Sequence, residues 1–152
     1  MLRNRFSEEL KESLKARDQR ATSTVRLILA ALKDRDIAAR GRGNTAGIPE
    51  DEILQMLQTM VKQRRESIEM YKKGGRQDLV TQEEEEIAVI ERYMPKQLGE
   101  AEVGAAVAAL IGELGAGSIK DMGRVMAAIK ERYAGQMDMA KASGIVKQQL
   151  TK

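Results

Sequence analysis

Aliphatic side chains recur every three or four residues along most of this chain, the spacing that places them on one face of an α-helix. The clearest stripe runs through Ile53, Leu57, Met60 and Val61. No stretch alternates apolar and polar residues over the length of a useful strand. The sequence of 152 residues has one Phe, three Tyr and no Trp, so the predicted core is aliphatic and rich in Met. We therefore predict an all-α protein.

Stop signals between the stripes predict four helices in residues 1–95 and three shorter ones in residues 96–152. The segment PKQLGE, which begins at Pro95, has the composition of a linker, and Ala and Gly become frequent after it. Proline cannot continue a helix in register, so the fourth helix is expected to end just before Pro95. We predict an N-terminal four-helix domain, 1–95, followed by a small three-helix tail domain, 96–152.

The helix boundaries follow from the stripes and from the capping residues. The first helix is predicted to end near Asp18 and to bury Leu14. The second is predicted to run from about Thr22 to Ala39, with Ile37 on its apolar face. Pro49 is expected at the first position of the third helix, where a missing N–H costs nothing.

The absence of His and Cys from the sequence excludes several kinds of site. The usual zinc sites and the Ser-His or Cys-His nucleophile pairs need one of these residues. The start MLRNRFSEEL has no long apolar run, and no stretch approaches the roughly 20 apolar residues of a membrane span. We expect no catalytic residues, no metal, no cofactor, no membrane contact and a cytoplasmic location.

Charge is distributed unevenly along the chain. Residues 1–48 carry 11 Lys or Arg against 6 acids, whereas residues 49–95 carry 7 against 11. Residues 96–152 carry 8 against 6. The basic first helices could pack beside the acidic third and fourth, or they could present a nucleic-acid face. Packing between the helices is the favoured interpretation.

The tail carries the candidates for RNA binding. Lys and Arg contact RNA phosphates, and free backbone N–H groups at a helix start also favour a phosphate. Asp121 is expected to cap the helix that follows it. Gly123 would allow close approach of a ligand or of a neighbouring helix. The cations singled out are Lys120, Arg124, Lys130 and Lys147.

The segment YKKGGRQDL, residues 71–79, has two interpretations. A double glycine followed by Arg could cradle a phosphate, or it could let two helices turn back on each other. The glycines follow a long helix that ends in two lysines, which favours the elbow. Gly74 or Gly75 is expected to adopt the left-handed conformation, Asp78 to cap the next helix, and Arg76 to form an ion pair.

Glu83 and Glu86 lie three residues apart, so a helix places both carboxylates on one face. They could serve as a metal or acid–base pair, but such a site needs further ligands from elsewhere in the fold. The favoured interpretation is a solvated acidic face, or an ion pair with Arg64, Arg65 or Arg76.

The spacing of four motifs resembles that of the GatB/YqeY family, specifically its free-standing YqeY-like members. These motifs are G-R-x-D-L, E-x-x-E, Y-x-P-x-Q-L and D-M-G-x-V-M, and the resemblance covers nearly the whole chain. The residues of this sequence that match are Gly75, Arg76, Asp78, Glu83, Glu86, Tyr93, Pro95 and Gly123.

The resemblance implies a function as well as the four-helix and three-helix arrangement. Similar domains form the C-terminal part of the B subunit of the glutamine-dependent aspartyl/glutamyl-tRNA amidotransferase, where they help to engage tRNA. The resemblance therefore predicts a non-catalytic tRNA- or RNA-binding, translation-associated accessory protein that does not bind DNA. The alternative is an adaptor for an amidotransferase or an aminoacyl-tRNA synthetase. Carbon–nitrogen ligase activity with glutamine as amido-N-donor, the label attached to the family, is the least favoured.

Overall fold

The computed structural model describes residues 1–151, and within them the regular structure is helical, as predicted. Seven α-helices and one 3₁₀ turn, Ile119–Asp121, account for it. The α-helices are α1 (Leu2–Lys15), α2 (Gln19–Gly41), α3 (Glu50–Lys73), α4 (Gln77–Glu91), α5 (Glu100–Leu114), α6 (Met122–Tyr133) and α7 (Met139–Leu150).

The helices group into two compact units. The first, Met1–Met94, contains α1 to α4, and the second begins at Pro95 and contains α5 to α7. Each unit has its own cluster of buried apolar side chains. The assignment of 1–95 and 96–152 as separate domains stays a prediction.

The turn between α1 and α2 is tighter than the sequence suggested. α1 ends at Lys15, because Arg17 adopts a left-handed conformation with φ 57°. The N–H of Asp18 then donates to the carbonyl of Ser13 at 2.9 Å. α2 starts at Gln19 rather than Thr22, because the Asp18 carboxylate accepts the N–H of Ala21 at 3.0 Å and caps the helix.

The core of the first unit is aliphatic and Met-containing, as predicted, but two predicted members are outside it. Leu14 is 50% exposed and Ile37 is 53% exposed. Ser13 takes the buried position on α1, where its hydroxyl accepts a hydrogen bond from Thr22 at 2.9 Å. On α2 the inward position goes to Asp36, which is paired across the unit.

Asp36 joins α1, α2 and the loop before α3. Its carboxylate accepts hydrogen bonds from both terminal nitrogens of Arg3, at 2.7 and 2.9 Å, and from the N–H of Ile48 at 2.9 Å. Arg3 also donates to the carbonyl of Ile48 at 3.0 Å. The hydrogen bonds from Arg3 lower the pKa of Asp36 to about 2. This bidentate pair fastens the polar loop to the helical core.

The second unit encloses a smaller core made by α5, α6 and α7. Gly115, with φ 62°, is the C-cap of α5. Asp138 is the N-cap of α7, and its carboxylate accepts the N–H of Ala140 at 2.8 Å. The buried residues of this core are Val103, Val107, Leu110, Val125, Ile129, Met137, Ala142, Val146 and Leu150.

No single helix in the described chain is both long and apolar enough to cross a membrane. α5 and the segment Ile119–Tyr133 are long and apolar enough only when taken together, and they are bent by 98° from each other.

Candidate nucleic-acid interface

The start of α6 holds two of the predicted RNA-binding residues on the surface. Lys120 and Arg124 are exposed, and Arg124 pairs with Asp121 at 3.2 Å. Asp121 occupies the N-cap position, but its carboxylate does not cap α6. It accepts instead from the N–H groups of Gly117 at 3.0 Å and Ser118 at 3.4 Å, which lower its pKa. The predicted cap is wrong because the preceding loop supplies the donors.

Lys130 and Lys147 are exposed and form no ion pair within residues 1–151. Lys130 lies six residues after Arg124 on α6, which corresponds to about 9 Å along the helix axis. Lys147 lies on α7. Each of these cations can reach solvent. Their joint use as one RNA-binding face stays a prediction.

Gly123 contacts no other helix of the second unit among the described residues. It is exposed, and a Cβ atom built on it would meet no heavy atom within 4 Å. Within the described part of the second unit, Gly123 therefore allows no neighbouring helix to approach.

Gly75 forms the elbow between α3 and α4. It has φ 70°, its N–H donates to the carbonyl of Lys72 at 3.2 Å, and the N–H of Arg76 donates to the carbonyl of Tyr71 at 2.9 Å. These two bonds define a Schellman motif, which ends an α-helix on a left-handed residue. The elbow interpretation of the double glycine is confirmed.

Arg76 and Asp78 form the predicted ion pair, at 3.0 Å, on the outside of this elbow. Asp78 lies inside α4 and does not cap it, because Arg76 occupies the N-cap position. The hydrogen bonds from Arg76 lower the pKa of Asp78. A phosphate at this elbow would therefore compete with the Asp78 carboxylate for Arg76.

Replacing Gly75 with Ala is expected to lower the free energy of unfolding by about 1 kcal/mol, because a side chain disfavours positive φ. Gly74→Ala is the matched control, since Gly74 has φ −85° and its added Cβ would make only an ordinary contact of 3.6 Å with the Met70 carbonyl. Urea denaturation of the two variants provides the measurement. Equal losses would contradict the assigned left-handed conformation.

Glu86 belongs to a buried ion pair. Its side chain is 8% exposed and accepts a hydrogen bond from Arg64 Nε at 2.9 Å, with Arg20 Nη1 at 3.9 Å. Burial and the charge of Glu86 raise the pKa of Glu83. The ion-pair interpretation is confirmed for Glu86 with Arg64. No cluster of three or more residues with metal-ligand side chains lies in the described chain.

Two other acids of α4 pair with basic residues of neighbouring helices. Arg20 of α2 pairs with Glu85 of α4 at 3.0 Å, and Arg65 of α3 pairs with Glu91 at 3.4 Å. The basic α2 therefore does pack beside the acidic α4, as the charge distribution favoured.

Tyr93 is a core residue. Its ring packs edge-to-face on Phe6, with 4.8 Å between the ring centroids, and Arg5 lies 5.1 Å from the ring centroid. Burial raises its pKa to about 12. α4 ends at Glu91, earlier than predicted, and three turn hydrogen bonds carry the chain through Tyr93 toward Pro95.

α2 presents a basic row that the sequence reasoning missed. Arg26, Lys33 and Arg40 are exposed, and none of them forms an ion pair within the part of the chain that is described. Seven residues make about two helical turns, so neighbours in the row lie about 10 Å apart along one side of the helix. The spacing is visible in the sequence, but only packing shows that this side faces outward.

These features define an all-α protein of two helical units, in which several motif residues maintain the fold. The model of the family described as Yqey-like protein matches residues 3–150. The chain belongs to this family.

Curated relatives are fungal proteins named Altered inheritance of mitochondria protein 41, mitochondrial. The protein of Lachancea thermotolerans is 32% identical over 111 residues, covering 72% of this chain and 57% of the relative. That of Eremothecium gossypii is 34% identical over 91 residues, covering 59% and 46%. That of Saccharomyces cerevisiae is 30% identical over 86 residues, covering 57% and 44%. The chain spans about half the length of the curated relatives that it matches.

Proposed function

We propose that this protein is a non-catalytic RNA-binding accessory protein of translation, with tRNA as its ligand. The supporting observation is the set of exposed cations that form no ion pair in the described structure. They include the row on α2 and the tail residues Lys120, Lys130 and Lys147. When such cations bind phosphates, they displace counterions that had been condensed on the nucleic acid. This release supplies affinity without reading the base sequence.

The contacts of the motif residues support a non-catalytic role. Gly75 ends a helix, Arg76 and Asp78 pair with each other, and Glu86 pairs with Arg64. Each of these contacts gives the motif residues a structural role in the turn or between helices. Carbon–nitrogen ligase activity with glutamine as amido-N-donor is therefore not proposed for the isolated chain.

An adaptor for an amidotransferase or an aminoacyl-tRNA synthetase is the second candidate. Leu27 and Ile37 are 46% and 53% exposed on α2, and such apolar side chains could contact a protein. Co-purification with an amidotransferase or synthetase subunit would favour this candidate. A cytoplasmic location stays a prediction, and the names of the fungal relatives make the mitochondrion the alternative.

Fluorescence anisotropy with bulk tRNA tests the RNA proposal. If about three phosphates are contacted, affinity should fall about tenfold or more between about 50 and 200 mM salt. A triple variant in which Gln replaces Arg26, Lys33 and Arg40 should bind tRNA more weakly, and its affinity should depend less steeply on salt concentration. The tail is tested by Lys120→Ala combined with Arg124→Ala.

Lys62→Gln is the control, because Lys62 is exposed on α3 and forms no ion pair in the described chain. It should change affinity least. If the wild-type protein binds no tRNA at low salt, the RNA proposal is wrong. If a DNA duplex binds as tightly as tRNA, the contacts are not specific for RNA.

A further inference from the structure

A groove lies at the turn between α1 and α2, with a volume of about 410 Å³. Arg17, Ser23 and Arg26 line it, together with the partly exposed Leu14. One wall is held in place by buried hydroxyls, since Thr22 donates to Ser13 at 2.9 Å and Ser13 donates to the carbonyl of Leu10 at 3.1 Å. The groove thus has a wall fixed by internal hydrogen bonds and two arginines among its lining residues.

Both arginines lack a carboxylate partner. Arg17 and Arg26 are exposed and form no ion pair within residues 1–151. The acid next to Arg17 in sequence, Asp18, accepts the N–H of Ala21 and does not line the groove. Two unpaired guanidinium groups beside one cavity favour an oxyanion, and their planar donors suit phosphate.

The backbone at Arg17 indicates that its side chain has a use beyond the turn. Arg17 occupies the left-handed position of a Schellman motif, with its N–H donating to the carbonyl of Leu14 at 3.2 Å. Gly75 occupies the same position at the end of α3. Glycine adopts this conformation at lower cost than arginine. The turn by itself gives no reason for an arginine.

We propose that Arg17 and Arg26 bind a phosphate group of an RNA strand in this groove. Leu14 offers an apolar surface beside the phosphate, against which a sugar or base can pack. Arg26 is also the first cation of the row on α2, so the groove lies at one end of that row. The assignment to RNA rests on the proposed function, whereas a free phosphate would use the same donors.

Titration with inorganic phosphate, observed by NMR at the arginine Nε–H groups and at constant ionic strength, tests the site directly. We expect saturable shifts at Arg17 and Arg26, and little change at Arg42, an exposed arginine outside the groove that forms no ion pair in the described chain. Shifts that do not saturate, or that are equal at all three arginines, would overturn the proposal.

Arg17→Gly separates the role of the side chain from that of the backbone. The thermal midpoint should rise by about 2–4 °C, because glycine relieves the left-handed strain. Phosphate binding and the affinity for a short single-stranded RNA should both fall, by about tenfold for the RNA, corresponding to one lost charged contact. Lys62→Gln should leave the phosphate shifts unchanged.

The two ligands distinguish this inference from the proposed function. RNA binding that Arg17→Gly leaves unchanged, together with no phosphate shifts, overturns the groove site and leaves the RNA function standing. Saturable phosphate shifts without any RNA binding support the site and overturn its assignment to RNA. Loss of both signals in Arg17→Gly, with a raised thermal midpoint, supports the full proposal.

Discussion

Replacing Arg64 with Met is expected to lower the free energy of unfolding by about 3–5 kcal/mol, which is the usual cost of breaking a buried ion pair. The side chains of Arg64 and Glu86 are only 13% and 8% exposed, and they meet at 2.9 Å. Arg64 also donates to the carbonyl of Met60 at 3.1 Å. Without Arg64, the Glu86 carboxylate would remain buried, with its nearest remaining cation, Arg20, at 3.9 Å.

Arg65→Met is the matched control on the same helix. The side chain of Arg65 is 65% exposed and pairs with Glu91 at 3.4 Å, so its removal should cost less than about 1 kcal/mol. Replacing Arg64 with Met and Glu86 with Leu together should recover most of the loss, since no buried charge is then left alone. Urea denaturation provides the measurement. Equal losses in Arg64→Met and Arg65→Met would show that Arg20 suffices to neutralise Glu86.

Phe6→Ala is expected to lower the free energy of unfolding by about 3–5 kcal/mol. Phe6 is fully buried and is the only phenylalanine in the chain. Its removal leaves a cavity among aliphatic side chains and ends the edge-to-face contact with Tyr93, which contributes about 0.5–1.5 kcal/mol beyond burial. The denaturation midpoint in urea, at constant slope, measures the loss.

Two variants separate the cavity from the aromatic contact. Phe6→Leu keeps most of the volume and should cost less than about 1.5 kcal/mol. Tyr93→Phe keeps the ring pair and removes a buried hydroxyl that has no hydrogen-bond partner in the described structure, so little loss is expected. A loss below about 1 kcal/mol in Phe6→Ala would mean that the core closes around the missing ring.

The helices could be predicted because the information that forms them is local. The stripe from Ile53 to Val61 repeats with the period of an α-helix, so it is buried in the structure as expected. The elbow at Gly75 was predictable for the same reason, because a left-handed glycine after terminal lysines ends a helix through contacts within a few residues.

Two predictions of buried side chains were wrong, because a neighbouring polar residue with a partner on another helix takes the inward position. Leu14 is exposed because Ser13 takes the buried position, where it accepts a hydrogen bond from Thr22. Ile37 is exposed beside Asp36, which is held inward by Arg3 from another helix. Periodicity alone cannot distinguish two neighbouring positions on a helix when a polar residue can be satisfied inside.

The candidate nucleic-acid interface was likewise predictable from the sequence only in part. Lys120, Arg124, Lys130 and Lys147 could be named from the sequence, because exposed cations are common on short helices with one apolar face. The groove at Arg17 could not, because its left-handed backbone and its neighbours across the turn appear only when α1 and α2 pack together.

The sequence by itself determined the helical class, the two groups of helices and the family, because each depends on periodicity, turn residues or motif spacing along the chain. Only the tertiary structure decided which charged side chains form ion pairs within the described chain and which do not. Glu86 and Arg64 meet from different helices, whereas Arg26 meets no acid in the described chain. Ion pairing depends on distances between elements, and those distances exist only after the helices pack.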